Sequence, residues 1–146
     1  ALVSENISPQ KALWKDKALL WNTADPYLYI RMTRDNRIMV GGRDELFYNP
    51  ARRDKLINRK STLLKKDFAK LFPHIDLLPE FRWAGTFGST RDALPYIGMY
   101  DKTPHTYYAL GFGGNGITFS LIAAKIIRDL MTGRKNKDVD LFSFNR

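Results

Sequence analysis

Gly111-Phe112-Gly113-Gly114-Asn115-Gly116, followed without a break by the apolar run Ile117–Met131, is the stretch on which the reading of this chain turns. Ahead of it, Thr106-Tyr107-Tyr108-Ala109-Leu110 is β-branched and aromatic and predicts a short strand. Behind it, Ile117, Phe119, Leu121, Ile122, Ile126, Ile127, Leu130 and Met131 cover most of a helical surface, which predicts a buried helix. The glycines remove the Cβ atoms that would keep another group away from the turn. The first N–H groups of the helix lack intrahelical partners, and the positive end of its dipole stands behind them, so something electron-rich is expected there. The glycine spacing is neither G-x-G-x-x-G nor that of a P-loop. A tight turn packed under a core helix accounts for the same residues without any ligand.

Working outward, the 146 residues are 44% hydrophobic and 13% aromatic, enough for a core of one domain's size. No apolar run reaches membrane-spanning length. The absence of cysteine removes disulfides, thiolate metal sites and cysteine nucleophiles, and it suits a reducing, cytoplasmic setting. With only His74 and His105, no histidine-built metal site is expected. The net charge of +9 is compatible with nucleic acid, but much of it lies in Arg52–Lys70 and Arg134–Lys137, where a solvated helix face and a tail explain it.

Along the chain, Ala1–Ser4 and Ala18–Thr23 read as strands, with a polar loop over Ser8–Asp16 between them. Pro26–Thr33 alternates Tyr27, Tyr29 and Arg31 on one face against Leu28, Ile30 and Met32 on the other. Arg34-Asp35-Asn36-Arg37 predicts a tight hairpin turn, because Asp and Asn tolerate positive φ, and Arg37–Arg43 returns as the partner strand. Pro50–Phe72 carries apolar residues at helical spacing and ends at Pro73. Phe81–Phe87 predicts a strand, Thr90–Gly98 a turn entering another, and Asp101–His105 a loop. Gly133 is placed to end the last helix, and the aromatics of Asp140–Asn145 are expected to tuck back onto the fold. Trp83 reads as core, Asp92 as a turn-stabilising side chain, and Asn115 as a helix cap. The fold class is therefore α+β: a mostly antiparallel, mixed sheet with one amphipathic helix and one buried C-terminal helix.

Three stretches together resemble one family, the FAD-dependent oxidoreductases related to D-amino-acid oxidase, glycine oxidase and monomeric sarcosine oxidase. They are Trp83-Ala84-Gly85 with Thr90-x-Asp92-x-x-Pro95-x-Ile97-Gly98, Tyr108-Ala109-x-Gly111-Phe112-x-Gly114-x-Gly116 with Ala123–Ile127, and the tail Asp140–Arg146. Arg37–Gly42 fits the hairpin of the family's substrate domain. The likeness covers essentially the whole chain and matches the C-terminal part of such enzymes. It implies that residues 1–105 belong to a substrate domain and residues 106–146 complete the FAD domain. It also implies that Gly113, Gly114, Asn115, Gly116, Ile117 and Thr118 lie beside the flavin and that Phe87 stands at a substrate-binding position, while the shared face of Tyr27, Tyr29 and Arg31 either lines the substrate cavity or is a half-exposed sheet face.

The implied activity is oxidation of the C–N bond of an amine or amino acid by hydride transfer to FAD. Departures from the family pattern qualify it. No G-x-G-x-x-G unit is present, so the main dinucleotide-binding half is expected on a missing N-terminal segment or a separate chain, and these residues alone are expected to be inactive. Covalent attachment of flavin through cysteine is impossible here, and the oxygen-activating lysine of sarcosine oxidases falls on Met39. Positions where relatives hold a substrate carboxylate with a basic side chain are Phe87, Gly114 and Thr118. The sequence names no catalytic acid or base. Two other functions fit composition alone: a basic nucleic-acid-binding domain using Arg52–Lys70 with exposed tyrosines, and a non-catalytic interaction domain.

Overall fold

A computed structural model describes residues 1–7, 14–46 and 49–146. The expected loop over Ser8–Asp16 lies, for residues 8–13, outside the described residues. The chain forms two compact units, Ala1–Gly85 and Thr86–Arg146.

The first unit is a five-stranded antiparallel sheet in the order β2-β3-β4-β1-β5, built from β1 (Leu2–Ser4), β2 (Leu20–Trp21), β3 (Leu28–Met32), β4 (Ile38–Gly42) and β5 (Pro79–Arg82). The predicted hairpin forms in register, Met32 opposite Ile38 and Leu28 opposite Gly42. Asn36 takes φ 58°, as the turn requires, and the Thr33 hydroxyl accepts from the Arg37 N–H at 2.9 Å. The alternation of β3 then sorts its side chains. Leu28 and Ile30 join Leu2, Ile38 and Val40 on a buried face, covered by Leu64 and Phe68 of the helix α2 (Ile57–Leu71).

The continuous helix expected over Pro50–Phe72 is instead α1 (Pro50–Lys55) followed by α2, the two meeting at Leu56. The Asn49 side chain accepts from the Ala51 N–H and starts α1. Arg43, just past β4, grips Asp67 of α2 with two hydrogen bonds of 2.6 and 2.7 Å, and this fastens the helix to the sheet. The strand expected over Phe81–Phe87 runs from Pro79 to Arg82, because its pairing partner β1 is only three residues long. Trp83 is correspondingly exposed rather than core. The strand expected over Ala18–Thr23 contracts to Leu20–Trp21.

The second unit pairs β6 (Tyr96–Tyr100) with β7 (Thr103–Leu110) and packs α3 (Gly116–Met131) and the short α4 (Val139–Phe142) against them. Ile97, Ala123, Ile126 and Phe142 form its core. The loop expected over Asp101–His105 is only the turn Asp101-Lys102, since Tyr100 already pairs with Thr103. Pro104 is tolerated near the start of the strand. The division expected after residue 105 thus falls inside β7. Gly133, at φ +67°, stands two residues past the end of α3. The tail folds back as expected: Phe142 is buried and Phe144 stacks on Tyr96 with ring centroids 5.2 Å apart.

Within this unit α3 is not the all-round buried helix its composition predicts. One side packs through Ala123 and Ile126, whereas Ile117, Leu121 and Met131 are 93%, 61% and 67% exposed. A four-turn helix has more apolar surface than one two-stranded hairpin can cover.

Candidate functional site

The glycine turn is held from behind by the segment that enters β6. The Gly113 N–H donates to the Gly88 carbonyl at 2.9 Å, and Ser89 and Phe112 form an isolated antiparallel bridge. Gly113 sits at φ +54°, a conformation that L side chains rarely adopt. In front of the turn there is open space: a Cβ built at Gly113, Gly114 or Gly116 meets no atom within 4 Å.

The first hydrogen bond of α3 runs from the Phe119 N–H to the Asn115 carbonyl at 3.1 Å. The N–H groups of Gly116, Ile117 and Thr118 have no partner among the described residues. Asn115 occupies the N-cap position, but its side chain makes no capping bond, contrary to expectation. Its ψ of 33° departs from the extended conformation in which an N-cap side chain turns back onto the helix. The first turn of α3 is thus open to a ligand on all three counts: bare backbone, unpaired donors and a dipole.

Phe87 is exposed and directly precedes Gly88, so the chain itself places it beside the glycine turn. Farther along, Asp92 stabilises its turn by accepting from the Leu94 N–H at 3.1 Å. Its second partner lies 54 positions away and leaves no local signal. Arg146 reaches back to Asp92 at 2.7 Å, donates to the Leu94 and Pro95 carbonyls at 2.6 and 3.0 Å, and lies over the Tyr96 ring at 4.0 Å. Hydrogen bonding from Arg146, then from the Leu94 backbone, pulls the Asp92 carboxyl far below its ordinary value. The contribution of this latch is therefore constant above the unfolded aspartate value, about pH 4, and declines as pH falls below it. We expect amide exchange at Leu94 to be faster in Asp92→Asn than in wild type at neutral pH, with the two converging in strong acid.

Tyr27, Tyr29 and Arg31 lie in the first unit, on the sheet face opposite α2. The two tyrosine rings stack 6.1 Å apart. Trp21, which sequence reasoning passed over, joins them edge-on to Tyr27 at 6.0 Å. Its place follows from register, Trp21 opposite Tyr29, and strand pairing of a two-residue element leaves no periodic signal. The Tyr29 ring lies across Gly41, its cross-strand partner, where a Cβ would fall 2.0 Å from the ring. Burial, then the Asp44 carboxylate, raises the pKa of both phenols, so they are neutral hydrogen-bonding groups at neutral pH. Arg31 is exposed and has no hydrogen-bonded or ion-pair partner among the described residues. The residues expected beside the flavin and Phe87 therefore belong to one unit, and the tyrosines and Arg31 to the other. Among the described residues no group of three or more His, Asp or Glu is placed to hold a metal ion. No described helix is long and apolar enough to cross a membrane.

Among curated proteins, the chain is 30% identical over 106 residues to gamma-glutamylputrescine oxidoreductase of Escherichia coli, covering 72% of this chain and 23% of that protein. It is 29% identical over 123 residues to D-amino acid dehydrogenase of Helicobacter pylori, covering 82% of this chain and 29% of that one. The chain thus spans about a quarter of the length of these relatives. Among solved structures, L-proline dehydrogenase from P. horikoshii shares the fold with a TM-score of 0.66 at 19% identity, over 97% of this chain and 37% of that one. Glycine oxidase from Geobacillus kaustophilus gives a TM-score of 0.59 at 20% identity, over 99% of this chain and 37% of that one. The family model described as FAD dependent oxidoreductase (DAO) matches residues 1–130, and the chain belongs to that family.

Proposed function

We propose that this chain is the substrate-side and flavin-edge portion of an enzyme that oxidises the C–N bond of an amine or amino acid. The observation that carries this reading is the open glycine turn in front of the unpaired N-terminus of α3. It fits one edge of an electron-rich ring system: Gly114 and Gly116 leave room for a flat group, and the N–H groups of Gly116, Ile117 and Thr118 are available as donors. FAD, when bound, would supply the hydride acceptor for the carbon next to the amine nitrogen, the nitrogen lone pair forming the C=N bond of an iminium as the C–H bond breaks.

The chain's own part is electrostatic and positional. The α3 N-terminus stabilises negative charge at the cofactor edge it faces, which favours hydride acceptance. Trp21, Tyr27 and Tyr29 offer an aromatic wall that packs the carbon skeleton of the substrate and attracts an ammonium by cation–π contact. The ADP half of FAD is held by the remainder of the protein, on the same or a separate chain. One helix terminus contributes at most about 2 kcal/mol, too little to retain FAD alone. The names of the curated relatives specify an amine and an amino acid, which supports nitrogen at the reacting carbon. The cysteine-free composition supports a reducing, cytoplasmic setting.

The preferred substrate is an amine without an α-carboxylate, because Phe87, Gly114 and Thr118 supply no charge to hold one. One observation favours amino acids instead: Arg31 presents an unpaired guanidinium on the same face as Tyr29. Steady-state kinetics of the intact enzyme on matched pairs, each an amino acid and its decarboxylated amine, separate the two. We expect the amine to lead in kcat/KM by tenfold or more, about 1.4 kcal/mol, and Arg31→Ala to leave that lead unchanged. If amino acids lead and Arg31→Ala abolishes their advantage, Arg31 is the carboxylate anchor.

A further inference from the structure

We propose that the groove between α2 and β5 is a binding site for a small phosphomonoester. The groove has a volume of about 410 Å³ and is lined by Asn58, Ser61, Thr62, Lys65, Pro79 and Arg82. Nothing in the proposed oxidation uses these residues, and they lie on the α2 side of the sheet, away from Tyr27, Tyr29 and Arg31.

The helix and sheet geometries make the lining converge. Asn58, Ser61, Thr62 and Lys65 fall at i, i+3, i+4 and i+7 of α2 and so share one face. Arg82 pairs with Leu2, a residue of the core beneath α2, so both side chains project to the helix side of the sheet.

Hydrogen bonding leaves the groove with unspent donors. Ser61 is only 6% exposed and sits in the buried stripe with Leu64 and Phe68, but its hydroxyl is not itself buried and has no partner among the described residues. A serine inside a helix ordinarily bonds back to the preceding turn, as Thr62 does to the Asn58 carbonyl at 3.1 Å. The Asn58 amide and the Arg82 guanidinium are likewise without partners among the described residues. Lys65 spends one N–H on Asp76 at 3.1 Å and keeps two. No carboxylate lines the groove.

Two cations, one of them shared with Asp76, together with an amide and a hydroxyl around one small space match a dianion with several terminal oxygens. A phosphomonoester has that form. The volume suits a small molecule, which selects a free metabolite over a lipid headgroup held in a membrane surface.

The test uses the intact flavoprotein with inorganic phosphate and glycerol 3-phosphate as probes. Thermal midpoint and ³¹P line width are followed against chloride at matched ionic strength. We expect saturable stabilisation by both probes in wild type, a loss of tenfold or more in apparent affinity in Arg82→Gln, and a similar loss in Lys65→Gln. The visible flavin spectrum should stay unchanged, which separates this site from the cofactor's own phosphates. Vesicles containing phosphatidate should not sediment the protein. A response equal to that of chloride, an undiminished affinity in both variants, or binding to the vesicles alone overturns the proposal. Ser61→Ala, which removes the hydroxyl and adds no bulk, should weaken phosphate binding while leaving the unliganded midpoint near wild type. A phosphate affinity unchanged by Ser61→Ala would remove Ser61 from the site and contradict the assignment.

Discussion

Gly42→Ala should unfold the first unit's sheet in all but the mildest conditions, although it adds a single methyl group. Gly42 sits at φ +128°, where an L residue is strained, and its Cβ would lie 2.1 Å from the Tyr27 carbonyl oxygen. That oxygen belongs to the backbone and accepts the Arg43 N–H at 3.3 Å, so it has nowhere to retreat. Strain of this kind costs about 1–3 kcal/mol by itself, and the clash with a fixed backbone oxygen adds to it. A total loss above about 3 kcal/mol is expected, a large share of the stability of an ordinary domain. The check is the thermal midpoint and soluble yield of the intact protein beside Gly114→Ala. Gly114 has ordinary backbone angles and open space around it, so its alanine should change stability little. Equal midpoints for the two variants would show that the backbone conformation at Gly42 is not what holds the end of β4 against β3.

Gly114→Asp should lower the flavin's two-electron reduction potential by about 20–40 mV. A Cβ at this position meets no atom within 4 Å, and Gly114 lies outside the left-handed region where an L residue is strained. What it adds is a carboxylate in front of the N–H groups of Gly116, Ile117 and Thr118. The charge neutralises the positive end of α3, worth about 1–2 kcal/mol in a partly buried setting. For a two-electron couple 30 mV corresponds to about 1.4 kcal/mol, which gives the stated range. The same carboxylate favours the helix itself, so stability should hold or rise while the potential falls. General damage to the protein would move the two in the same direction. Gly114→Ala, with bulk but no charge, controls for steric displacement of the cofactor. A potential unchanged in the aspartate variant, with FAD content intact, would place the turn away from the flavin.

How much of this was legible in the residues depends on how local the cause is. The hairpin could be read because its determinants are contiguous: alternation in Tyr27–Thr33, and Asp35-Asn36 where positive φ is needed. The facing of Tyr27, Tyr29 and Arg31 followed from the same period of two. The length of β5 was illegible, because it is fixed by the three residues of a strand almost eighty positions away. Trp21 escaped notice for the same reason, since only register with Tyr29 places it on the aromatic face. The Arg146–Asp92 latch bridges 54 positions and leaves no periodic trace.

Apolar composition overstated the burial of α3. Its hydrophobic residues record what the helix is suited to meet, whereas the hairpin of its own unit covers only one side. The glycine turn was the reverse case. Its openness could be read from four glycines in six residues, but the direction of its unpaired donors required the helix to be seen starting at Gly116. The groove donors on α2 were hidden inside what reads as an ordinary basic helix face, because the decisive cation, Arg82, comes from another element.

In the oxidation proposed for the intact enzyme, the bond broken is the C–H beside an amine nitrogen. Anaerobic mixing of the intact flavoprotein with a preferred amine, unlabelled or deuterated at the carbon bearing nitrogen, tests this while the visible flavin absorbance is followed. Bleaching is expected in both cases, slower with the deuterated amine, with the corresponding imine or its hydrolysis product formed in step with it. Bleaching by a 2-hydroxy acid or an alcohol, with no amine or amino acid able to reduce the flavin, would contradict it.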